Sequence, residues 1–504
     1  QIRQQINHLS KNISAQTHGE KNYPYLLASD SYYYLGLTDR ILKKGSISAS
    51  IQGNKYHHEL MLAPHGFWEP LNLHPYLGAL LYKSLRLFNP SIELTHALSY
   101  LPLILTTFSL AAFILLNLGL QLHPVAITVG SLFFVLAPIH LKRSMLGWYD
   151  NDPYNVLFPL IIFNILWLVL KQRHNHQQWI SLFILILLFG VYAYFWQGWV
   201  FMLVVVLSAL LISSLIFVIR HNQAMAKSYG RVCLTLLMGS CVLASVLFGP
   251  KAFLSLFHEG LKALSNFLTP QLSAWPDLYI SVSELHPAEL SFIAEQLGGY
   301  FFITLAVIGL IYSFIKFWKT ELCIPITLTV FALSSFLISL GAQRFVLLML
   351  IPFSCAFTLG LDMILALVKK LKTSTSRALT PSRFFLLNIS SYAAILLLIL
   401  IPITSLKKSI RSLLNPIFNQ TWEEILTDIS EKTAEDSIVT SWWPPGHFIK
   451  AIAKRRVTFD GASINVPQAY WVSNFFLEQE EEKALGILRM LNVGGNQAVE
   501  AFHM

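Results

Sequence analysis

The sequence has 504 residues, of which 54% are hydrophobic and only 12% are charged. A soluble globular domain carries about 25% charged residues, so this composition excludes an ordinary soluble enzyme and indicates a polytopic membrane protein. The net charge of +9 does not predict a nucleic-acid partner, because many basic residues lie in short loops between apolar runs.

Residues 1–96 contain no apolar run of membrane length, and we predict a first outer loop region with amphipathic helices. Leu35, Leu37 and Ile41 have the spacing of a partly apolar helical face, and Asp30 stands where that helix would begin. Taken alone, Asp30 is equally well explained as a helix N-cap. The chain starts with Gln1 rather than Met, which is compatible with a missing N-terminal piece.

Residues 97–406 form the predicted transmembrane domain, with roughly ten apolar runs of spanning length. These runs must be helices, because backbone groups cannot go unpaired in hydrocarbon. They are predicted near 97–120, 124–141, 153–170, 178–195, 198–219, 231–249, 295–315, 322–340, 344–367 and 384–406. The predicted fold class is therefore an α-helical polytopic membrane protein.

The charges of the gaps between these runs predict an orientation. If the 142–152 gap faces outwards, the gaps at 171–177, 220–230, 316–321 and 368–383 face the cytoplasm, and each of them carries lysine or arginine. This is the positive-inside pattern. It predicts a multi-pass protein of the inner (plasma) membrane whose long 250–294 loop lies on the periplasmic or extracytoplasmic face.

Residues 407–504 have a different composition and are predicted to form a small mixed α/β domain on the outer face, compatible with being truncated. Polar and acidic residues occur at helical spacing from Asn415 to Glu435, and a strand is predicted from Ser437 towards two tryptophans. A second amphipathic helix is predicted from Glu478 onwards.

Acidic residues that are costly to place beside a membrane converge on the outer side. Asp150 and Asp152 lie in a short polar gap, with Arg143 seven positions before the first of them. The orientation puts Asp30 and Glu284 on the same side. Several carboxylates without cysteine or a His-Glu-x-x-His element favour Mg²⁺ or Mn²⁺ over zinc. The four acidic residues are the predicted metal ligands.

Four separated motifs resemble those of the oligosaccharyltransferase catalytic subunit family, of the single-subunit type found in bacteria and archaea. Asp30 occupies the place of the first acidic motif, and Gly-Trp-Tyr-Asp-Asn-Asp ending at Asp152 is similar to the second. Ser-Val-Ser-Glu284 resembles the motif of the long, mobile outer loop. Ser-Trp-Trp-Pro-Pro-Gly446 resembles the Trp-Trp-Asp-Tyr-Gly motif of the outer domain.

The resemblance implies a membrane glycosyltransferase of the GT-C type. It would move an oligosaccharide from a polyprenyl diphosphate in the lipid bilayer to an asparagine of an acceptor protein, with a divalent cation and inversion of the anomeric centre. The catalytic residues that the resemblance implies are Asp30, Asp150, Glu284 and Arg143. It further implies that Arg344 contacts the donor diphosphate and that Trp442, Trp443 and Gly446 bind the acceptor.

Pro444 departs from the family motif, which has an aspartate in its place. That aspartate would accept a hydrogen bond from the Ser or Thr two residues after the acceptor asparagine. Proline has no such acceptor and no backbone N–H, so about 1–3 kcal/mol of selectivity for the hydroxyl would be lost. We expect His447 to be a surface residue rather than a replacement for the aspartate.

Three alternatives stay open at this point. The same scaffold can serve a non-asparagine acceptor, such as a hydroxyl or a glycan, or the chain can be an inactive homologue. A transporter is disfavoured, because transporters place acids at mid-membrane and show paired repeats, whereas these acids gather at one surface.

Overall fold

The computed structural model describes residues 23–172, 175–250, 275–276, 281–375, 416–462 and 466–502. The predicted span at 384–406 and most of the predicted 250–294 loop lie outside these ranges.

Long apolar helices form the body of the molecule, which confirms the helical class. In chain order they are Leu94–Ser99 with Leu101–Gly119, Pro124–Leu136, Pro138–Ser144, Tyr154–Lys171, Gln177–Ala193, Trp199–Ile219, Gln223–Phe248, Tyr300–Phe317, Cys323–Ser339 and Val346–Thr375. By length and composition, six helical stretches in the described ranges can cross a membrane, or seven if one bent pair is counted as a single span. The predicted number of about ten spans stays a prediction.

The predicted single helix at 124–141 is wrong, because the chain bends by 63° between Pro124–Leu136 and Pro138–Ser144. Pro138 has no backbone N–H, so it cannot bond the carbonyl of Phe134, four residues earlier. The His140 ring replaces the missing donor, because its Nδ1 lies 3.0 Å from the Phe134 carbonyl oxygen. The bend starts a new short helix that ends one residue after Arg143.

Glycines let the helices Tyr300–Phe317 and Val346–Thr375 approach closely. A Cβ added at Gly309 would lie 1.9 Å from the carbonyl oxygen of Ala356, and one at Gly360 would lie 2.6 Å from that of Leu305. Small residues at such crossings let helix backbones pack against each other inside a membrane.

We therefore expect Gly309→Ala to lower the free energy of unfolding by about 1–3 kcal/mol, the usual cost of overpacking. The measurement is thermal unfolding of the purified protein in detergent. Gly486→Ala is the matched control, because a Cβ there meets nothing within 4 Å. Equal unfolding temperatures for the two variants would contradict this close approach.

The N-terminal region, predicted to be a first outer loop, contains the helices Ser29–Lys44 and His74–Phe88 and a sheet that the sequence did not indicate. Three antiparallel strands form this sheet: Ile51–Gln52, Lys55–His58 and Phe67–Pro70. Strands of two to four residues are too short for an alternating pattern to stand out. We call Ser29–Lys44 the Asp30 helix.

The C-terminal region packs on this N-terminal region. Its elements are Gln420–Lys432, Ile438–Val439, Gly446–Phe448, the π-helical turn Ile449–Ala453, Arg456–Val457, Val466–Leu477 and Glu481–Phe502, the last with a kink at Gly495. Both predicted helices are present, whereas the predicted strand contains only two residues. Val457 exchanges backbone hydrogen bonds of 2.9 Å with Leu60 and Ala63. The C-terminal region also packs on the Asp30 helix, where a Cβ added at Gly36 would lie 3.4 Å from Ala451 Cα.

Candidate functional site

Asp30 lies in the first turn of the Asp30 helix, with its side chain more than half exposed. The N-cap residue is Ala28, so the simple capping explanation of Asp30 is wrong. An acid in a first turn still interacts favourably with the helix dipole. The Asp30 carboxylate accepts a 3.1 Å hydrogen bond from the Ser29 hydroxyl and lies 3.6 Å from His447 Nε2.

The turn that carries Asp150 and Asp152 is tied to the chain just before Asp30. Gly147 has a φ of +90°, which favours glycine. Its N–H donates to Ser99, and its carbonyl accepts a 3.0 Å hydrogen bond from the N–H of Leu27. This turn therefore brings the second acidic motif to the start of the Asp30 helix.

Arg143 links the second acidic motif to the third. Its buried guanidinium donates to the buried carboxylate of Asp152 and, at 2.8 Å, to Glu284 Oε1. A buried guanidinium needs such charged partners to offset its lost hydration. Residues 141 positions apart thus meet at one cation.

Asp150 is buried and shows how much negative charge gathers here. Burial, followed by the charges of Asp152 and Asp30, holds the pKa of the Asp150 carboxyl well above its usual range. The Arg143 charge and the Asn151 N–H, which donates to Asp150 Oδ1 at 2.5 Å, act in the opposite direction. One arginine therefore does not balance the acids around it.

The donor set at this site fits a hard divalent cation in its chemistry, because carboxylate oxygens are the ligands that Mg²⁺ and Mn²⁺ prefer. Its arrangement fits less closely. Among the described residues, no three His, Cys, Asp or Glu side chains converge as a ready-made metal site. Asp152 and Glu284 are instead paired with Arg143. The metal site stays a prediction, in which these two acids would first have to release Arg143.

Arg344 lies on an exposed turn, Gln343–Phe345, next to the turn that carries Glu284. The Gln343 N–H donates to the His286 carbonyl at 2.8 Å, two residues after Glu284. The structure thus connects the predicted diphosphate-binding residue to the third acidic motif.

The tryptophan motif is half-buried and packs on residues 459–461. A Cβ at Gly446 would lie 2.5 Å from Asp460 Cβ, so this position needs glycine for a close approach. Trp443 lies against Gly461, where an added Cβ would be 2.9 Å from its ring. Trp442 contacts Phe459 edge to face. The roles predicted for these residues in acceptor binding stay predictions.

Three buried residues that sequence reasoning missed lie beneath this motif: His447, Lys450 and Asp460. The expectation that His447 is a surface residue was wrong, because its ring is buried and packs against Tyr33 and Gly461. Lys450 Nζ pairs with Asp460 Oδ2 at 2.7 Å. Although burial raises it, the pKa of Asp460 is held below its usual range by the charges of Lys450 and His447.

No local signal in the sequence identified this group. A lone lysine among apolar residues is ordinarily interpreted as a surface residue, and its partner acid follows ten positions later, beyond a short strand. Only the fold shows that both side chains are buried.

A family model described as the N-terminal part of the oligosaccharyl transferase STT3 matches residues 17–410. Two curated relatives are dolichyl-phosphooligosaccharide-protein glycotransferases. The one from Methanococcus voltae is 22% identical and covers 94% of this chain. The one from Methanocaldococcus jannaschii is 23% identical and covers 98% of it. This chain spans 62% and 68% of their respective lengths.

Solved structures of an oligosaccharyltransferase from Archaeoglobus fulgidus share the fold. The complex with an inhibitory peptide and a dolichol-phosphate has a TM-score of 0.69 at 16% identity, over 97% of this chain and 68% of that one. The same enzyme tethered to an acceptor peptide with an NVT sequon has a TM-score of 0.68 over the same shares. At this identity the likeness establishes the fold alone.

Proposed function

Since the chain belongs to the oligosaccharyl transferase STT3 family, we propose that it transfers an oligosaccharide from a polyprenyl-diphosphate carrier to an asparagine of an acceptor protein. The names of the relatives support a dolichyl-type donor and a protein acceptor. The solved relative with a peptide and a dolichol-phosphate supports the same two partners. The active site would face the extracytoplasmic side of the plasma membrane.

One observation carries the proposal: acids of three separated motifs are linked to one another through Arg143 and Asp150. Asp152 and Glu284 both accept from its guanidinium, and Asp30 and Asp152 both raise the pKa of Asp150. Such a concentration of acids at the edge of apolar helices is costly to maintain, and costly charge in a cleft is a mark of function rather than stability.

The acids can activate an amide nitrogen, which is a poor nucleophile because its lone pair is delocalised. Carboxylates that accept the amide N–H groups weaken that delocalisation and aim the nitrogen at the anomeric carbon. The new C–N bond forms as the C–O bond to the diphosphate breaks, and the nitrogen loses one proton to a carboxylate that accepts its N–H group. No covalent enzyme intermediate is required, so the anomeric centre inverts.

Negative charge develops on the leaving diphosphate during this step. Arg344, exposed on its turn beside the Glu284 segment, is the residue of this chain that we assign to its oxygens. A bound Mg²⁺ or Mn²⁺, held by Asp30 and Asp150 and by Glu284 or Asp152 once Arg143 releases it, would supply further stabilisation of that charge.

The segment predicted to bind the acceptor favours relaxed selectivity for the Ser or Thr hydroxyl of the acceptor sequence. Pro444 also supports a second candidate function. The backbone here offers no N–H at Pro444 or Pro445, and neither side chain has an acceptor. The second candidate is therefore a GT-C glycosyltransferase of the same scaffold whose acceptor is a hydroxyl rather than an asparagine amide.

Three matched peptides separate the candidates: Asn-x-Thr, Asn-x-Ala and Gln-x-Thr, each incubated with the purified chain and a polyprenyl-diphosphate oligosaccharide. We expect transfer to both asparagine peptides, with rates within about tenfold of each other because the hydroxyl contact is missing. The glutamine peptide should remain unmodified. Equal transfer to all three would contradict the asparagine assignment and favour the hydroxyl acceptor.

A further inference from the structure

Asp30 needs an external partner to be held in place. Its side chain is more than half exposed at the start of a helix, and its one hydrogen bond in the described structure comes from the adjacent Ser29. A carboxylate in that situation samples several rotamers. A ligand that must be within about half an ångström of its working position requires support from a second residue.

The C-terminal region supplies a rigid group at that point. His447 Nε2 is 3.6 Å from Asp30 Oδ1, and only 1% of the histidine side chain is exposed. The Tyr33 ring packs against it, with ring centroids 5.3 Å apart. A Cβ added at Gly461 would be 3.0 Å from Nε2. The ring therefore has little freedom to turn away from Asp30.

The carboxylate of Asp30 determines which nitrogen of the His447 ring carries a proton. A carboxylate only accepts, so the nitrogen that faces Asp30 must carry the hydrogen. His447 Nδ1 is buried and has no hydrogen-bond partner within the described ranges. Asp30 is thus the polar group towards which the ring is presented. At 3.6 Å the contact is longer than a formed hydrogen bond, and a shift of about 0.6 Å would close it.

The Lys450–Asp460 pair anchors this arrangement. Lys450 lies one turn after His447, and both members of the 2.7 Å ion pair are buried. Asp460 directly precedes Gly461, against which the His447 ring packs. Lys450 Nζ also lies over the ring of Tyr33, at 5.0 Å from its centroid. The ion pair thus fixes the two segments that hold the histidine.

We propose that His447 is a positioning residue, whose Nε2–H holds the Asp30 carboxylate in the orientation that binds the cation and so couples the tryptophan segment to the acidic cluster. This inference rests on the proposed function. It assigns to the C-terminal region a part in assembling the cation site, beyond contact with the acceptor.

The test is Mn²⁺ binding to the purified full chain in detergent, measured by electron paramagnetic resonance of the free ion. We expect His447→Leu to weaken binding about tenfold or more, the usual effect of removing a group that orients a metal ligand. His447→Gln keeps an N–H donor near the position of Nε2 and should restore most of the affinity. His96→Leu is the matched control, because the half-buried His96 ring contacts Tyr23 and Tyr100 rather than any residue of this group, and this variant should leave Mn²⁺ affinity unchanged.

A second variant tests the geometry without removing a polar group. Gly461→Ala places a methyl 3.0 Å from His447 Nε2 and 2.9 Å from the Trp443 ring, so it should displace the ring and weaken Mn²⁺ binding in the same direction. The unfolding temperature without Mn²⁺ is recorded for each variant, and the comparison uses folded protein.

The outcomes separate this inference from the function on which it rests. If the wild type binds Mn²⁺ and transfers sugar while His447→Leu binds Mn²⁺ equally well, the positioning role is overturned and the proposed function stands. If both His447→Leu and His447→Gln bind Mn²⁺ as weakly as each other, the histidine acts through packing, and the role is overturned again. If the wild type neither binds Mn²⁺ nor transfers, both proposals fail together.

Discussion

Replacing Asp150 with Asn is expected to stop catalysis and, at the same time, to stabilise the cation-free protein. Transfer should fall by about 100- to 1,000-fold or more, the scale of losing one preorganised electrostatic contact in an active site. The gain in stability follows from the raised pKa of Asp150, since burial and the charges of Asp152 and Asp30 oppose its ionisation in the folded state. The Asn side chain keeps an oxygen that can accept from the Asn151 N–H.

The sign of the pH dependence checks this account. A carboxyl whose pKa is higher in the folded state than in the unfolded state contributes stability at pH values below the unfolded-state pKa. That contribution is lost as pH rises from the unfolded-state pKa to the folded-state pKa. The wild type without cation should therefore lose thermal stability across that window relative to Asp150→Asn. Unfolding temperatures measured from pH 4 to 8 with EDTA test this directly. A variant less stable than the wild type at pH 7 would show that the Asp150 charge is not destabilising.

Arg143→Met is expected to have the largest effect on stability. It leaves the buried Asp152 carboxylate without its partner, and breaking a buried ion pair costs about 3–5 kcal/mol. Loss of the contact with Glu284 adds little, since that side chain is partly exposed and solvent screens it. Denaturation of Arg143→Met in detergent gives the free energy of unfolding.

A double variant identifies the cause. Arg143→Met with Asp152→Asn removes the stranded charge, and we expect it to recover most of the lost stability but no transfer activity. Arg143→Lys should give intermediate stability, because a single ammonium cannot replace a planar guanidinium that binds two carboxylates. A double variant as unstable as Arg143→Met would mean that the arginine contributes packing rather than charge.

Local patterns in the sequence predicted the helices well because spanning length and turn residues are local properties. The predicted run at 198–219 corresponds to Trp199–Ile219, and the short turn Gln343–Phe345 lies at the junction of the predicted runs 322–340 and 344–367. The bend after Leu136 was missed, although Pro138 is its cause, because the apolar pattern continues across it. The helix at Gln223–Phe248 begins eight residues before its predicted start, because its first two turns are polar.

The site residues likewise divide into those that local sequence patterns predicted and those that depend on tertiary packing. Spacing and order brought Asp30, Asp150 and Glu284 into one hypothesis. In the structure Glu284 is paired with Arg143, and the charges of Asp30 and Arg143 both act on Asp150. The burial of His447, Lys450 and Asp460 could not be predicted from the sequence, because it depends on the C-terminal region packing on the N-terminal region. No local pattern reports a contact between residues about 400 positions apart, such as that between Asp30 and His447.

The most direct test of the central claim is to map the modified residue of an Asn-x-Thr peptide by mass spectrometry. The purified chain is incubated with a polyprenyl-diphosphate oligosaccharide in the presence of Mn²⁺, of EDTA, or of EDTA followed by excess Mn²⁺. We predict an intact oligosaccharide on the asparagine with Mn²⁺, none with EDTA, and recovery when Mn²⁺ is restored. Oligosaccharide on the threonine, or asparagine transfer that EDTA and Asp150→Asn leave unchanged, would contradict the account.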